Sequence, residues 1–245
     1  MNDPVSVFRA LHHGRAPGDP LVLPGPWDAA AARAFEDAGF PALATPSAGI
    51  AAALGHADGR TPSAEMFAAV ARVVRAVSVP VSADVEDGYG LAPEELVDRL
   101  LEAGAVGCNL EDSTGGVLVD PLLHAERLAG VRAAAGDRLF VNARVDTYIH
   151  GDPGATDVIT ETVERARLYA EAGADCVYPI MAPEAALPRL AASVPVPLNA
   201  LGMPDGPASA RRLGRLGASR ITFGPRLQQR ATDAVRDLAA RLLGP

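Results

Sequence analysis

The chain contains no lysine: its 22 basic residues are all arginine. This excludes Schiff-base lysine chemistry, a lysine-anchored pyridoxal phosphate and a GxxxxGK[ST] phosphate loop. Cysteine is scarce. Cys108 and Cys176 fall inside apolar runs with no CxxC or Cys/His zinc spacing, and read as buried free thiols. No uninterrupted run approaches the roughly 18–20 apolar residues of a membrane span, so no membrane partner is expected. The opening MNDPVSVFRALHHG lacks the apolar core of a signal peptide, which gives a cytoplasmic location as the expectation. A basic stripe is missing too. With a formal net charge of −8, nucleic acid is not an expected partner.

What is present is a regular alternation. The 245 residues are 49% hydrophobic, enough for one substantial core. Short apolar runs occur at 21–25 (LVLPG), 42–46 (ALATP), 79–86 (VPVSADVE), 107–112 (GCNLED), 139–146 (LFVNARVD), 176–181 (CVYPIM), 196–201 (VPLNAL) and 220–224 (RITFG). Several are apolar on both faces, as in a buried parallel sheet. Helical patterns separate them. Asp28 caps one that stops at Gly39, Pro93 opens one that stops at Gly104, and Asp120-Pro121 opens one that stops at Gly136. TDVITETVERARLYAEAG, from Thr156, stops at Gly173; Pro183 and Pro207 open two more, and the last helix covers 227–243. Eight strands alternating with helices predict an α/β fold, a (β/α)₈ TIM barrel forming a single domain over 1–245, with 1–20 as an N-terminal helix or extension. No GxGxxG follows the first strand, which disfavours a doubly wound sheet.

Polar residues in these strands are not scattered. Side chains alternate between strand faces. Ser82, Asp84 and Glu86 therefore share one face, Asn109 and Glu111 another, and Asn142, Arg144 and Asp146 a third; Asn199 stands alone among apolar neighbours. Each set gathers towards a strand's C-terminal end, where barrel active sites lie. Carboxylates at Asp84, Glu86 and Glu111 would repel one another unless a hard cation held them together. Oxygen ligands suit Mg²⁺, with Mn²⁺ as the alternative, and the lack of a histidine there argues against zinc. Arg144 could clamp a substrate carboxylate or serve as the charge partner of Glu111 or Asp146. Asp87, out of phase with Asp84 and Glu86, belongs to the following turn.

The stretches GPWDAAAARAFEDAGFPALATPSAG, LGHADG, VPVSADVEDGYG, GAVGCNLEDS, VNARVDTY and YAEAGAD, in this order, resemble the isocitrate lyase / phosphoenolpyruvate mutase superfamily over nearly the whole chain. The resemblance implies a (β/α)₈ barrel whose C-terminal helix is exchanged between subunits of a homodimer or homotetramer. It implies Mg²⁺ held by Asp84, Glu86 and Glu111, with Asp58 of LGHADG reaching the metal through water. Arg144 matches the substrate-binding arginine. Ser47 and Ala48 of TPSAG match the loop whose N–H groups hold the substrate carboxylate, although Pro46 has no N–H to give. The loop after the Glu111 strand, EDSTGGVLVDP, departs from the superfamily. It is short and carries neither the lyases' Cys motif nor the mutases' Lys.

These features imply an enzyme: a Mg²⁺-dependent carbon–carbon lyase acting on a small 2-oxo or 2-hydroxy carboxylate, by C–C cleavage or decarboxylation through an enolate-like intermediate. Asn109, Asn199, Ser47, Ala48 and Arg144 are the expected substrate contacts. Arg144 and Glu111 are the expected catalytic groups, with His56 or Tyr89 returning the proton, and His150 a lesser candidate. The alternatives are phosphonopyruvate-type P–C chemistry, as a mutase or hydrolase, and a non-catalytic carboxylate-binding barrel.

Overall fold

Asp28 accepts the Ala31 N–H at 2.7 Å and thereby fixes the start of the first outer helix. The same economy of local signals recurs along the chain. Asp120 accepts the N–H groups of Leu122 and Leu123, and Pro93, Pro121 and Pro207 each stand in the first turn of a helix.

A computed structural model describes residues 3–16, 18–151 and 157–243. Its strands are β1 (Leu21–Val22), β2 (Leu43–Ala44), β3 (Val81–Asp84), β4 (Gly107–Glu111), β5 (Ser113–Thr114), β6 (Val117–Leu118), β7 (Phe140–Val145), β8 (Cys176–Pro179), β9 (Asn199–Leu201) and β10 (Arg220–Thr222). The α-helices are α1 (Pro4–Leu11), α2 (Ala29–Asp37), α3 (Ser47–Leu54), α4 (Ser63–Val74), α5 (Pro93–Glu102), α6 (Pro121–Ala135), α7 (Thr147–His150), α8 (Val158–Glu171), α9 (Leu187–Ser193), α10 (Pro207–Arg215) and α11 (Arg226–Leu243). Thr156, the expected start of the helix that became α8, lies outside the described residues.

The eight expected strands all form, and all their pairings are parallel. They make two arcs, β2-β3-β4-β7-β8 and β1-β10-β9. Two seams join the arcs into a ring. At one, the Ala44 N–H donates to the Pro24 carbonyl at 3.2 Å; at the other, the Val177 N–H donates to the Pro197 carbonyl at 3.0 Å beside a Val177–Leu198 bridge. The chain is thus an α/β barrel, with its main apolar core between the strands and the outer helices. A second cluster closes the N-terminal end of the ring. Phe8 of α1 and Phe140 meet edge to face at 5.3 Å, together with Leu21, Val106 and Cys176.

Three features differ from the sequence expectation. Two helices, α3 and α4, occupy the stretch after β2, where none was expected. SAGIAAAL in α3 is made of small apolar residues and shows little polar contrast, so its period is hard to see; it ends on Gly55 at φ +87°. A two-stranded hairpin, β5–β6, follows β4 and turns at Gly115 and Gly116. Finally, β3 stops at Asp84. Glu86 lies beyond it in the left-handed region at φ +53°, so it does not share a strand face with Asp84.

Candidate active site

A cavity of about 950 Å³ opens at the C-terminal ends of the ring strands. It is lined by Asp58, Asp84, Glu86, Glu111 and Arg144, and also by Ser47, Ala48, Tyr89 and Asn109. Most of the residues singled out from sequence are therefore brought together. The register explains the inner layer. Glu111 pairs with Arg144 and Arg144 with Tyr178 across β4, β7 and β8, so these three side chains point the same way at the same height.

Asp84 accepts the Ser47 hydroxyl at 3.0 Å, and the Ser47 N–H at the start of α3 lies 3.4 Å from the same oxygen. Burial raises the Asp84 carboxyl, working against Arg144, which lowers it. Glu86 is pushed up to about 7 by burial and then by Asp84, Asp58 and Asp87. Glu111 is pushed up to about 8 by burial, with Arg144 pulling the other way. Asp87 accepts the Tyr89 N–H at 2.8 Å, the turn role expected for it. Glu86 and Tyr89, both with positive φ, and Gly88 at φ +83° make this turn a strained one, and strain of this kind gathers at functional sites.

Arg144 pairs with both of the acids considered for it. Its Nη1 lies 2.6 Å from Glu111, while Nε and Nη2 reach the two oxygens of Asp146 at 2.7 and 2.9 Å. Burial works against the guanidinium charge, but Glu111, Asp146 and Asp84 hold it above its ordinary value. Behind this pair stands a buried support that the sequence did not reveal. Asp146 also accepts the Ser113 hydroxyl at 2.7 Å, and its own N–H donates to Asp112 at 2.8 Å. Asp112 in turn accepts Tyr169 at 2.7 Å and Arg165 at 3.1 Å, both from α8.

Two expectations are corrected. Asn199 is fully buried and does not line the cavity. It pairs with Arg220 in register, whereas Leu201 and Thr222, two residues further along the same strands, reach the cavity wall. Alternation gives a side chain's face but not its depth along the barrel axis. His56 is also outside the lining: its Nε2 lies 3.1 Å from Glu65 of α4, so it is poorly placed to return a proton. Tyr89 does line the cavity. Its hydroxyl is buried without a hydrogen-bond partner, and burial followed by Glu86 and Asp84 raises the phenol so that it stays protonated. His150 lines the cavity as well, together with Arg60, Tyr178, Arg226 and Gln229, which sequence reasoning did not single out. Arg226 lies just past the last expected strand, and the rule that barrel sites lie at strand ends would have found it.

Among the described residues, no three His, Cys, Asp or Glu side chains converge as a complete metal cage. A cation held by protein alone is therefore not what the donor set fits. The set fits Mg²⁺ that keeps much of its water shell, for which one or two carboxylates are the usual protein share. Glu86 Oε1, buried with no hydrogen-bond partner, is the oxygen that such a cation or its water would satisfy.

The family model described as phosphoenolpyruvate phosphomutase matches residues 8–243. The chain is similar to an uncharacterized protein of Mycobacterium tuberculosis (strain H37Rv), at 36% identity over 89% of this chain and 81% of the relative. It is also similar to 2-methylisocitrate lyase of Aeropyrum pernix, at 34% identity over 73% of this chain and 59% of that one. Among solved structures, a putative phosphonomutase from Burkholderia cenocepacia J2315 superposes with a TM-score of 0.88 at 38% identity, covering 97% of this chain and 99% of that one.

Proposed function

The chain belongs to the phosphoenolpyruvate phosphomutase family, within the isocitrate lyase superfamily of enzymes, and from that premise we propose a Mg²⁺-dependent lyase of small 2-oxo or 2-hydroxy carboxylates. The observation that carries this reading is the group of acids, Asp58, Asp84, Glu86, Asp87 and Glu111, at one side of the cavity mouth, two of them, Glu86 and Glu111, pushed up to about 7 and about 8. Arg144 offsets only part of this crowding of acids, and a bound cation would relieve the rest.

Asp84, Glu86 and Glu111 would hold the ion partly through its retained waters, since no three such side chains converge on one point among the described residues, with Asp58 also acting through water. Bound Mg²⁺ supplies a Lewis-acid charge for the oxygen that gains electrons as a bond next to the carboxylate breaks. The protein's own groups do the rest. Arg144, fixed by Asp146, orients the substrate carboxylate. Ser47 and Ala48, at the first turn of α3, line the cavity where the helix dipole favours an anion, the Ser47 N–H being shared with Asp84. Asn109 stands at the floor and is fixed by the Asn142 amide at 2.7 Å. Tyr89, kept protonated, is the proton donor we assign to the enolate carbon. Decarboxylation asks the least of the loops, because departing CO₂ needs no acid. C–C cleavage uses the same groups. The P–C alternative is disfavoured by the hairpin from Ser113 to Leu118, which carries no charged side chain.

A second copy of the chain is part of the proposal. Helix α11 has no buried residue, and Val235, Leu238 and Leu242 form an exposed apolar stripe at i, i+3, i+7 spacing. We take this stripe to be covered in a homodimer or homotetramer by exchange of α11 between subunits. No helix among the described residues is long and apolar enough to cross a membrane.

The test is a thermal-shift and turnover panel of small 2-oxo acids with and without Mg²⁺. Mg²⁺-dependent stabilisation with release of pyruvate or a related 2-oxo product is expected, and Asp84→Ala or Glu111→Ala should abolish both. Activity that survives either substitution would refute the site assignment.

A further inference from the structure

The ring order places β10 four strands from β4 in either direction, so a side chain that joins them crosses the barrel interior. Arg220 of β10 does so. It is fully buried, and its Nη2 donates to Asn109 Oδ1 of β4 at 3.3 Å. Its Nε and Nη1 have no partner, its Cζ stands 5.9 Å from the centre of the Phe8 ring, and no carboxylate pairs with it among the described residues. Burial works against its charge. A buried charge without a partner is costly, and an apolar side chain of similar length would suit this core better. The arginine therefore needs a reason other than stability.

Its single bond supplies one. Asn109 stands beside Asp84 in register and lines the cavity. Its Oδ1 accepts two donors, Asn142 Nδ2 at 2.7 Å and Arg220 Nη2. Two facing amides are satisfied in either sense, because each carries both a donor and an acceptor. A guanidinium can only donate. With Arg220 in place one sense alone is satisfied: Asn109 keeps Oδ1 towards the interior and leaves Nδ2 for the cavity. The reverse sense would set an acceptor beside the Asp84 carboxylate and repel an incoming anion.

We propose that Arg220 is a positioning residue of this site: it sets the direction of the Asn109–Asn142 amide pair and so holds Asn109 Nδ2 in the cavity floor as a donor to a substrate oxygen. Arg220 does not itself line the cavity. The inference rests on the functional reading above, which makes Asn109 part of the seat of a substrate carboxylate.

Oxalate with Mg²⁺ is the probe, and calorimetry measures its affinity for the wild type, Arg220→Met, Asn109→Ala and the double variant. Each single substitution should weaken oxalate binding by about tenfold, near the upper end for one hydrogen bond. The double variant should bind within about twofold of Asn109→Ala, because Arg220 acts only through that amide. An undiminished affinity in Arg220→Met, or a full second loss in the double variant, would overturn the inference. Arg220→Met should melt no lower than the wild type; a marked fall with intact oxalate binding would assign Arg220 to the fold instead. A second measurement needs no ligand. In NMR spectra with isotope-labelled asparagine, the Asn109 side-chain amide is identified by its loss in Asn109→Ala, and its resonances should move in Arg220→Met. Unchanged resonances would overturn the inference whether or not oxalate binds. Failure of the wild type to bind oxalate with Mg²⁺, while those resonances move, would overturn the functional reading and still support the amide's orientation.

Discussion

Asp146 grips Arg144 with both carboxylate oxygens, accepting Nε at 2.7 Å and Nη2 at 2.9 Å, while its own side chain has no solvent exposure. A guanidinium held at two points cannot swing, so the Nη1 edge is presented to the cavity in one orientation. Removing the carboxylate leaves a mostly buried cation short of its partner. Asp146→Ala is expected to cost about 3–5 kcal/mol in denaturant unfolding, the range for breaking a buried pair on one side. A loss below about 1 kcal/mol would show that the grip is not structural.

Tyr169 acts one step further out. Its hydroxyl donates to Asp112 at 2.7 Å, and Asp112 accepts the Asp146 N–H. Tyr169→Phe deletes one hydrogen bond to a carboxylate and leaves the ring in place. The expected loss is about 1.5–3 kcal/mol, the range for bonds to charged groups. Urea denaturation measures it, and an unchanged midpoint would count against the network.

Gly107 is required by strand packing. A Cβ there would lie 2.5 Å from the Phe140 carbonyl oxygen on the neighbouring strand. Backbone cannot yield as the end of a side chain can. Gly107→Ala should therefore lower stability by about 3 kcal/mol, the upper end of ordinary overpacking costs. Gly136→Ala is the control, since nothing stands near its would-be Cβ and only its φ of +55° resists.

His124 sets an acid limit. It is 2% exposed, its Nε2 has no partner, and its ring is pushed down to about 3, by burial first and then by Arg127 and Arg165. The folded ring stays neutral while the unfolded one protonates near its ordinary value of 6.5. Below that value the unfolded state binds the extra proton, so stability falls as pH drops from about 6.5 towards 3, by up to about 1.4 kcal/mol per pH unit. His124→Leu should narrow the gap between melting temperatures at pH 7 and pH 4.5. A gap of wild-type size would assign the acid limit elsewhere; His12, also pushed down to about 3, is the next residue to test.

Strand positions were legible from sequence because a buried parallel strand is apolar on both faces, and any polar residue near its C-terminal end stands out. Glu111 and Arg144 were found in this way, and the register confirms their common face. Glu86 was found for a reason that does not hold, since a left-handed turn and not strand alternation brings it to the cavity. Asn199 was over-read, because alternation says nothing about depth. Tyr178 was not read at all: within CVYPIM it looks like any core aromatic, and only the pairing with Arg144 reveals its place in the cavity wall. The Asp112–Arg165–Tyr169 support joins residues from distant parts of the chain, which no local pattern can signal.

The two seams of the ring have a consequence for breathing motions. Each joins its arcs over a shorter run of paired residues than the long β4–β7 and β7–β8 ladders, so opening there costs less. The three strands between the seams carry Arg226, while the other five carry the acids and Arg144. Amide exchange should therefore be fastest along β1, β9 and β10, and this arc would flex as a hinged panel whose rim sets the width of the cavity mouth.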